Sequence, residues 1–418
     1  MAVLATVVAS FEGTISPLVP VLLEDLHMSL TTYGAIAAIS VVAGAASAAL
    51  GGRLCDMWGR VTVLIPALFI TGIGDFCMLL VTSPIDLLIV RTLLSFVEGF
   101  AAATTASLIR DFTPRVGRAT GYGFWTWGPV GANFLAAAIV GLTLPIFGTW
   151  QSQFVIFGCI GIVVSVVIAL TIADISPELR AQVIQGTQKM RELQAVAEAP
   201  VRSSARELLR YPHIWAHILG VTSWLVLYET LTLYGPTLIV EEFGVNAATA
   251  SSIFAVFWVL NVATLVIAGV LSDRLQLRKP VSCIGALGTA AICIYFITLF
   301  DQNVSTGLIM LTGALLGGLM GVAYGPWMAN FSENAEDIRP SLQGTAWGAW
   351  GMSVRIMIVL MLVISPVIVA ATGGWTAWMI IAVVCELLYV PAMFWFKGPW
   401  RRSARVPTAG VPTHAPQP

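Results

Sequence analysis

At 418 residues the chain is long enough for two or three soluble domains, yet apolar types make up 57% of it, charged types only 10%, and its mean hydropathy is +0.87. A soluble domain carries about 25% charged residues, so this chain lacks the polar groups to cover a water-facing surface and reads as an integral membrane protein. The net charge of −1 excludes a basic nucleic-acid binder, and the six cysteines (55, 77, 159, 283, 293 and 385) have the spacing of neither a disulfide framework nor a zinc site.

A transmembrane helix needs about 20 mostly apolar residues. Twelve such spans are predicted, at 1–23, 31–53, 61–82, 84–110, 119–143, 150–174, 213–240, 247–271, 281–300, 305–331, 342–371 and 375–396. Each run is continuously apolar rather than alternating, which excludes a strand barrel. Met1 lies directly at the first span, with no charged n-region and a run too long for a signal-peptide core; a truncated or mis-assigned start is expected. Residues 175–211 form the one long polar connection and read as interrupted amphipathic helix. The Pro- and Arg-rich stretch 398–418 reads as a disordered tail.

With both termini on one side, every Lys and Arg except Arg91 and Arg355 falls in connections on that side or in the tail. The opposite connections carry Glu24, Asp25, Asp86, Glu241, Glu242 and Asp301 instead. Basic residues are retained on the cytoplasmic side of membrane proteins. The chain is therefore expected to be a multi-pass protein of the plasma (cytoplasmic) membrane with both termini cytoplasmic.

The halves repeat. Adding 217 takes Glu12 to Glu229, Glu24 to Glu241, Asp25 to Glu242, Gly52 to Gly269, Leu54 to Leu271 and Asp56 to Asp273, and Phe11-Glu12 becomes Tyr228-Glu229. Trp125-Thr126-Trp127-Gly128 echoes Trp347-Gly348-Ala349-Trp350-Gly351 further on. The expected fold is an all-α integral membrane protein of twelve transmembrane helices, arranged as two pseudo-symmetric six-helix bundles with a site between them. Its parts are an N-terminal bundle at 1–174, a cytoplasmic linker at 175–211, a C-terminal bundle at 212–397 and a disordered cytoplasmic tail at 398–418.

The connection after the second span reads Gly52-Arg53-Leu54-Cys55-Asp56-Met57-Trp58-Gly59-Arg60. It resembles the G-x-L-x-D-R-x-G-R signature of the major facilitator superfamily, with Met57 in place of the arginine. The repeat after span 8, Gly269-Val270-Leu271-Ser272-Asp273-Arg274, keeps the arginine and loses the second glycine. With the twelve spans, the resemblance covers essentially the whole chain. It implies a secondary active transporter working by alternating access, with spans 1, 4, 7 and 10 around a central cavity and spans 3, 6, 9 and 12 as outer supports. It also implies a gate built on Gly52, Asp56, Gly59 and Arg60 and on Asp273 and Arg274, in which Asp56 meets the start of span 11 near Ser341 to Gly344. An anion is disfavoured at the C-terminal end of its own helix, which agrees with Asp56 serving a partner; a tight turn is the simpler alternative. Gly128-Pro129-Val130-Gly131 partly resembles a motif of the family's proton antiporters, though a proline kink and glycine packing explain it equally.

Seven ionisable residues fall inside spans: Glu12, Asp75, Arg91, Glu98, Glu229, Arg355 and Glu386. Each costs roughly 2.5–3.5 kcal/mol at the bilayer centre on insertion scales, which marks it as a functional candidate. Glu12, Glu98 and Glu229 lie on spans that the resemblance places at the cavity and are the candidates for proton coupling. Arg91 precedes Glu98 by seven residues, so the two share a helix face about 10 Å apart along it. Arg91 and Arg355 are candidates for binding an anionic substrate, the alternative being neutralisation of the acids. Asp75 and Glu386 sit on support spans and read as structural. Tyr324, Trp327 and Asn330, beside Gly325-Pro326, can contact substrate or simply pack. His213 and His217, four residues apart, read as a helix start rather than a metal site.

No lysine stands in a Gly-Lys-Ser/Thr phosphate loop, and no metal or nucleophilic cluster points to an enzyme. The expected function is proton-coupled uptake of an organic anion by a symporter that uses no cofactor, the proton gradient being its energy source. Its expected partners are a small-molecule substrate, protons and the lipid bilayer, not nucleic acid, and it is expected to act as a monomer. Proton-coupled efflux of a cationic or lipophilic compound is the alternative, and a non-transporting sensor on a transporter scaffold is the alternative of another class.

Overall fold

The computed structural model describes residues 2–11, 14–58, 60–112, 118–172, 210–338 and 343–401, and among these there is no strand. Helix α1 (Ala2–Phe11) is followed by a 3-10 turn (Ser16–Leu18) leading into α2 (Val19–Asp25), and then by α3 (Leu30–Trp58). Helix α4 (Arg60–Gly74) tightens into a 3-10 segment (Asp75–Leu80), and α5 (Pro84–Phe112), α6 (Arg118–Phe147) and α7 (Trp150–Thr171) complete the first half. The second half holds α8 (Pro212–Phe243), α9 (Ala247–Leu275), α10 (Arg278–Ile297), α11 (Thr306–Glu336), α12 (Gln343–Thr372), α13 (Thr376–Leu387) and the short α14 (Tyr389–Ala392). Among the described residues, eleven segments are long and apolar enough to cross a membrane. The first predicted span is supplied by α1 and α2, two shorter pieces on either side of residues 12 and 13.

Local chemistry accounts for the ends. Asn246 caps α9 by accepting from the Thr249 amide at 2.8 Å, Pro212 opens α8, and Gly244 closes α8 at φ 63°. Helix α3 runs past the predicted span through Arg53 to Trp58, because hydropathy marks the edge of the hydrocarbon and not the end of the helix.

The repeat in the sequence is a repeat in packing. In the first half α3 packs on α5, α4 on α5 and α7, and α1 on α6; in the second, α9 packs on α11, α10 on α11 and α13, and α8 on α12. Numbered as spans, these are the same neighbours in each six-helix bundle. Small residues permit the closest approaches. A Cβ at Gly317 or Gly321 of α11 would collide with the carbonyl oxygen of Phe257 or Asn261 on α9, and one at Gly325 would lie 2.7 Å from that of Leu265. Two hydrogen bonds lock the same seam, Asn261 Nδ2 to Gly317 O at 2.9 Å and Thr264 Oγ1 to Gly318 O at 2.6 Å. The equivalent seam in the first half brings Gly44 and Ser47 of α3 against Ser95 and Gly99 of α5.

The acidic connections tie each bundle to itself. Trp150 donates its indole N–H to Asp25 at 2.6 Å, while Trp375 donates its indole N–H to Glu241 and its amide to Glu242, each at 2.6 Å. Asp25 and Glu242 are repeat mates, and each bond fastens the first helix of a half to the sixth.

The halves meet each other at this same acidic end, through α3 on α12 and α6 on α9. Gly34 lies directly on the Leu362 carbonyl and beside Pro366, Tyr33 meets Tyr234 edge-on at 6.3 Å, and Ser251 donates to Pro17 O at 3.4 Å.

The glycine seam carries a test. Gly317→Leu should lower the melting temperature of the purified protein by several degrees, since overpacking costs about 1–3 kcal/mol. Gly307→Ala, on the same helix but with open space around its Cβ, should leave it unchanged or raise it. Equal melting temperatures for the two variants would contradict the packing described.

Candidate functional site

Arg91, Leu94 and Glu98 lie three and four residues apart and so share one face of α5. Opposite them α4 tightens into its 3-10 segment at Asp75. Gly74, one residue before, has no room for a Cβ because Leu94 fills that space. Asp75 is thereby set beside the Arg91–Glu98 face, and Arg91 is the electrostatic neighbour of Asp75, Glu98 and Tyr33. Tyr33, Asp75 and Arg91 are buried. Glu98 differs: it is enclosed by protein yet keeps accessible surface.

Arg355, from the other half, is a further electrostatic neighbour of the same carboxylate. It stands seven and eleven residues before Leu362 and Pro366, and so shares their face of α12. Those two residues abut α3 at the acidic end; Arg355 lies two turns, about 10 Å, towards the basic end. There it is exposed, with Glu98 as its electrostatic neighbour.

The bond between Thr222 and Ser353 hydroxyls, at 3.1 Å, sets the depth of α8 against α12. Both helices run from the basic end to the acidic end, so Arg355 is level with Trp224, and Tyr228 and Glu229 lie a little over one turn above. Glu229 shares a face with Thr232 and Pro236, which line a small gap between the halves opposite Pro17, Asn133 and Ala137. Its electrostatic neighbours are Tyr228 and Tyr324 of α11. Glu229, Tyr228 and Tyr324 resemble Glu98 in being deep in the protein and still accessible. Glu98, with Arg355 opposite, and Glu229, on the face of Thr232 and Pro236, thus mark the boundary between the two bundles.

The remaining predicted residues are placed elsewhere or lie outside the described residues. Asn330 is buried, its Oδ1 accepting from Asn334 Nδ2 at 2.9 Å. Asn334 also meets His217 Nε2 at 2.8 Å, and His217 stacks on Phe396 at 3.6 Å. This network pins the segment after α14 beneath α8 and α11. Trp327 and Glu386 are each 1% exposed, Glu386 lying beside Trp224 and Cys293. At the basic end Asp273 pairs with Arg278, which also reaches Glu333 at 2.9 Å, while Arg274 is exposed and Arg60 half-buried. Glu12, Gly59 and the side chains at Gly52 and Asp56 lie outside the described residues. No group of metal ligands occurs among the described residues.

Sequence reasoning did not single out Tyr228 as a site residue or Arg278 as the partner of Asp273. Tyr228 had a signal, its place beside Glu229 in the repeat. Asp75 was assigned to support, and its position beside Arg91 follows only from the Gly74–Leu94 contact, which no periodicity encodes.

Comparison with known proteins agrees with this architecture. The D-xylose-proton symporter superposes with a TM-score of 0.70 over 95% of this chain and 97% of its own, at 17% identity, which is a likeness of fold. The hexuronate transporter of Bacillus subtilis (strain 168) is 24% identical over 269 residues, 63% of this chain and 60% of that protein. The high affinity nitrate transporter 2.7 of Arabidopsis thaliana is 28% identical over 280 residues, 63% of this chain and 56% of that protein. The match thus spans less than two thirds of the length of either relative. The sequence profile of the Major Facilitator Superfamily, by contrast, matches residues 1–360, and the chain therefore belongs to that superfamily, a family of membrane transporters and not of enzymes.

Proposed function

We propose that the protein takes up a small organic anion together with a proton, by alternating access. Arg355 carries this reading: an accessible guanidinium whose charged neighbour, Glu98, belongs to the other half is placed to receive an anion. The relatives named for hexuronate and nitrate, both anions, agree with it in charge.

The roles follow from position. Arg355 takes the anionic group, in competition with Glu98. Arg91 is buried and acts through Glu98 and Asp75, holding the carboxylates where Arg355 can exchange one partner for another. Tyr324 contributes to the wall. Glu229 carries the proton, because a proton can join it without breaking an ion pair; Glu12, its repeat mate, is assigned the same role. With the anion on Arg355 and the proton on Glu229, the loaded site is closer to neutral than the empty one, which favours its passage through a low-dielectric interior. Substrate and proton thus help each other to load.

By the distribution of basic residues, the acidic end where the halves touch is the outer side. The Gly52–Arg60 segment, with Asp273 and Arg274, forms the opposing latch. The energy comes from the proton gradient, with no cofactor, across the plasma membrane, and one chain suffices. Efflux of a cation would use Glu98 or Glu229 as its counter-charge, but Arg355 at the same carboxylate opposes a cation there.

Flux of labelled anions into proteoliposomes, with and without a pH gradient, tests the function directly. Gradient-driven accumulation is expected; binding without flux would favour a sensor, and gradient-driven expulsion of a cation would favour efflux. Arg355→Gln removes a charge-assisted contact of about 1.5–3 kcal/mol and should weaken apparent affinity roughly ten- to a hundredfold. Arg355→Lys should restore it only in part, since an ammonium cannot reproduce the guanidinium fork. Unaltered affinity in Arg355→Gln would contradict an anion site there. Glu229→Gln should abolish accumulation driven by the gradient while sparing exchange between equal substrate pools. Unchanged gradient-driven uptake would remove Glu229 from the proton path.

A further inference from the structure

We infer that the Asp75–Glu98 pair takes up a second proton when the anion claims Arg355, so that uptake of each monovalent anion moves net positive charge inward. This rests on the anion reading above and adds to it a proton site and its consequence for the driving force.

Position sets the two carboxylates against one guanidinium. Arg91, Leu94 and Glu98 follow one face of α5, and the Leu94 side chain fills the space that a Cβ at Gly74 would need. Asp75 therefore enters level with Leu94, about one helical turn from Arg91 on one side and from Glu98 on the other. The 3-10 segment that carries Asp75 is held from behind by α7, where a Cβ at Gly158 would lie 2.8 Å from the Phe76 ring and 2.9 Å from the Gly72 carbonyl oxygen. Helix α7 brings no charged residue. The charged groups facing Asp75 are thus Arg91 and Glu98 of α5, while Tyr33 of α3 neighbours Arg91 and Arg355 of α12 neighbours Glu98. Asp75 is 3% exposed, and its Oδ1 is buried with no hydrogen-bond partner. At that oxygen neither water nor a hydrogen bond answers a negative charge, which leaves the task to Arg91.

Charge arithmetic supplies the rest. With Arg355 beside Glu98, the carboxylates of Asp75 and Glu98 stand against the guanidinium groups of Arg91 and Arg355. Once the anion holds Arg355, Asp75 and Glu98 share Arg91, and one negative charge is left unanswered away from bulk water. The proton on Glu229 does not answer it, because the electrostatic neighbours of Glu229 are Tyr228 and Tyr324 in the other bundle. The smallest change that restores balance is one proton shared by Asp75 and Glu98. Removing either carboxylate abolishes the need for that proton, a signature that a merely structural Asp75 would not give.

Infrared spectra of the purified full-length chain test this without a substrate, because Arg355→Gln imitates the departure of Arg355 from the pair. At neutral pH this variant should show one more protonated-carboxyl band than the wild type. The band should be missing from Arg355→Gln with Asp75→Asn and equally from Arg355→Gln with Glu98→Gln, since either pairing restores balance around Arg91. In proteoliposomes with labelled glucuronate, an inside-negative potential alone should drive accumulation by the wild type, whereas Asp75→Asn should respond to the pH gradient only. Should Asp75→Asn fail to fold, or glucuronate not be carried, the spectra of the wild type, Arg355→Gln and its pairing with Glu98→Gln decide. Identical carboxyl spectra in the wild type and Arg355→Gln, or a band that survives in both paired variants, overturns the second proton. Wild-type uptake that follows the pH gradient and ignores the potential overturns it as well and leaves the anion reading standing; unaltered anion affinity in Arg355→Gln overturns both.

Discussion

A charge inside a membrane protein has to be answered, and in this one the answer crosses between the two halves. Arg355 of α12 has Glu98 of α5 as its electrostatic neighbour, and Glu98 also has Arg91 on its own helix face with Asp75 alongside. Each of these groups alone would cost several kcal/mol in hydrocarbon; together they form a nearly balanced cluster. The balance is local and divisible. Because Arg355 belongs to a different bundle from its partner, relative motion of the bundles alters the pairing, and an anion entering the cavity can take over from Glu98. Under the proposed function, this arrangement is what would couple binding to conformation.

The rest of the fold keeps each bundle rigid so that this one interface can change. Glycine and small polar residues bring α3 onto α5 and α9 onto α11 at nearly backbone contact. The tryptophan bonds to Asp25, Glu241 and Glu242 fasten the first helix of each half to its sixth. Across the halves α3 meets α12 and α6 meets α9, with Gly34 on Leu362, Tyr33 edge-on to Tyr234 and the Ser251 hydroxyl reaching Pro17 O. Bundles fastened internally in this way suit bodies that rock against one another as units.

Much of this was legible from the chain alone, for definite reasons. Hydropathy located the spans because the hydrocarbon edge is a solvent boundary, and the offset of 217 located the repeat because repeated bundles need the same acids at the same ends. Glu98, Glu229 and Arg355 stood out because their charge is conspicuous in apolar sequence. Burial was not legible. Arg91 and Arg355 look alike in sequence, yet one is buried behind Glu98 and the other is exposed, a difference set by how α4 and α12 pack. Asn330 looks available to a ligand in sequence, but it is buried and accepts from Asn334 one helical turn on; the His217 and Lys397 contacts that hold Asn334 in place follow from tertiary packing and not from local pattern.

The central claim is that Arg355 receives substrate and is more than a counter-ion for Glu98. Anion affinity measured in the paired variant Glu98→Gln with Arg355→Gln tests it most directly, because neutralising both groups removes any penalty from an unpaired charge. The account predicts a folded protein whose anion binding stays as weak as in Arg355→Gln alone. Recovery of wild-type affinity in the pair would contradict it, and would reduce Arg355 to a structural partner of the glutamate.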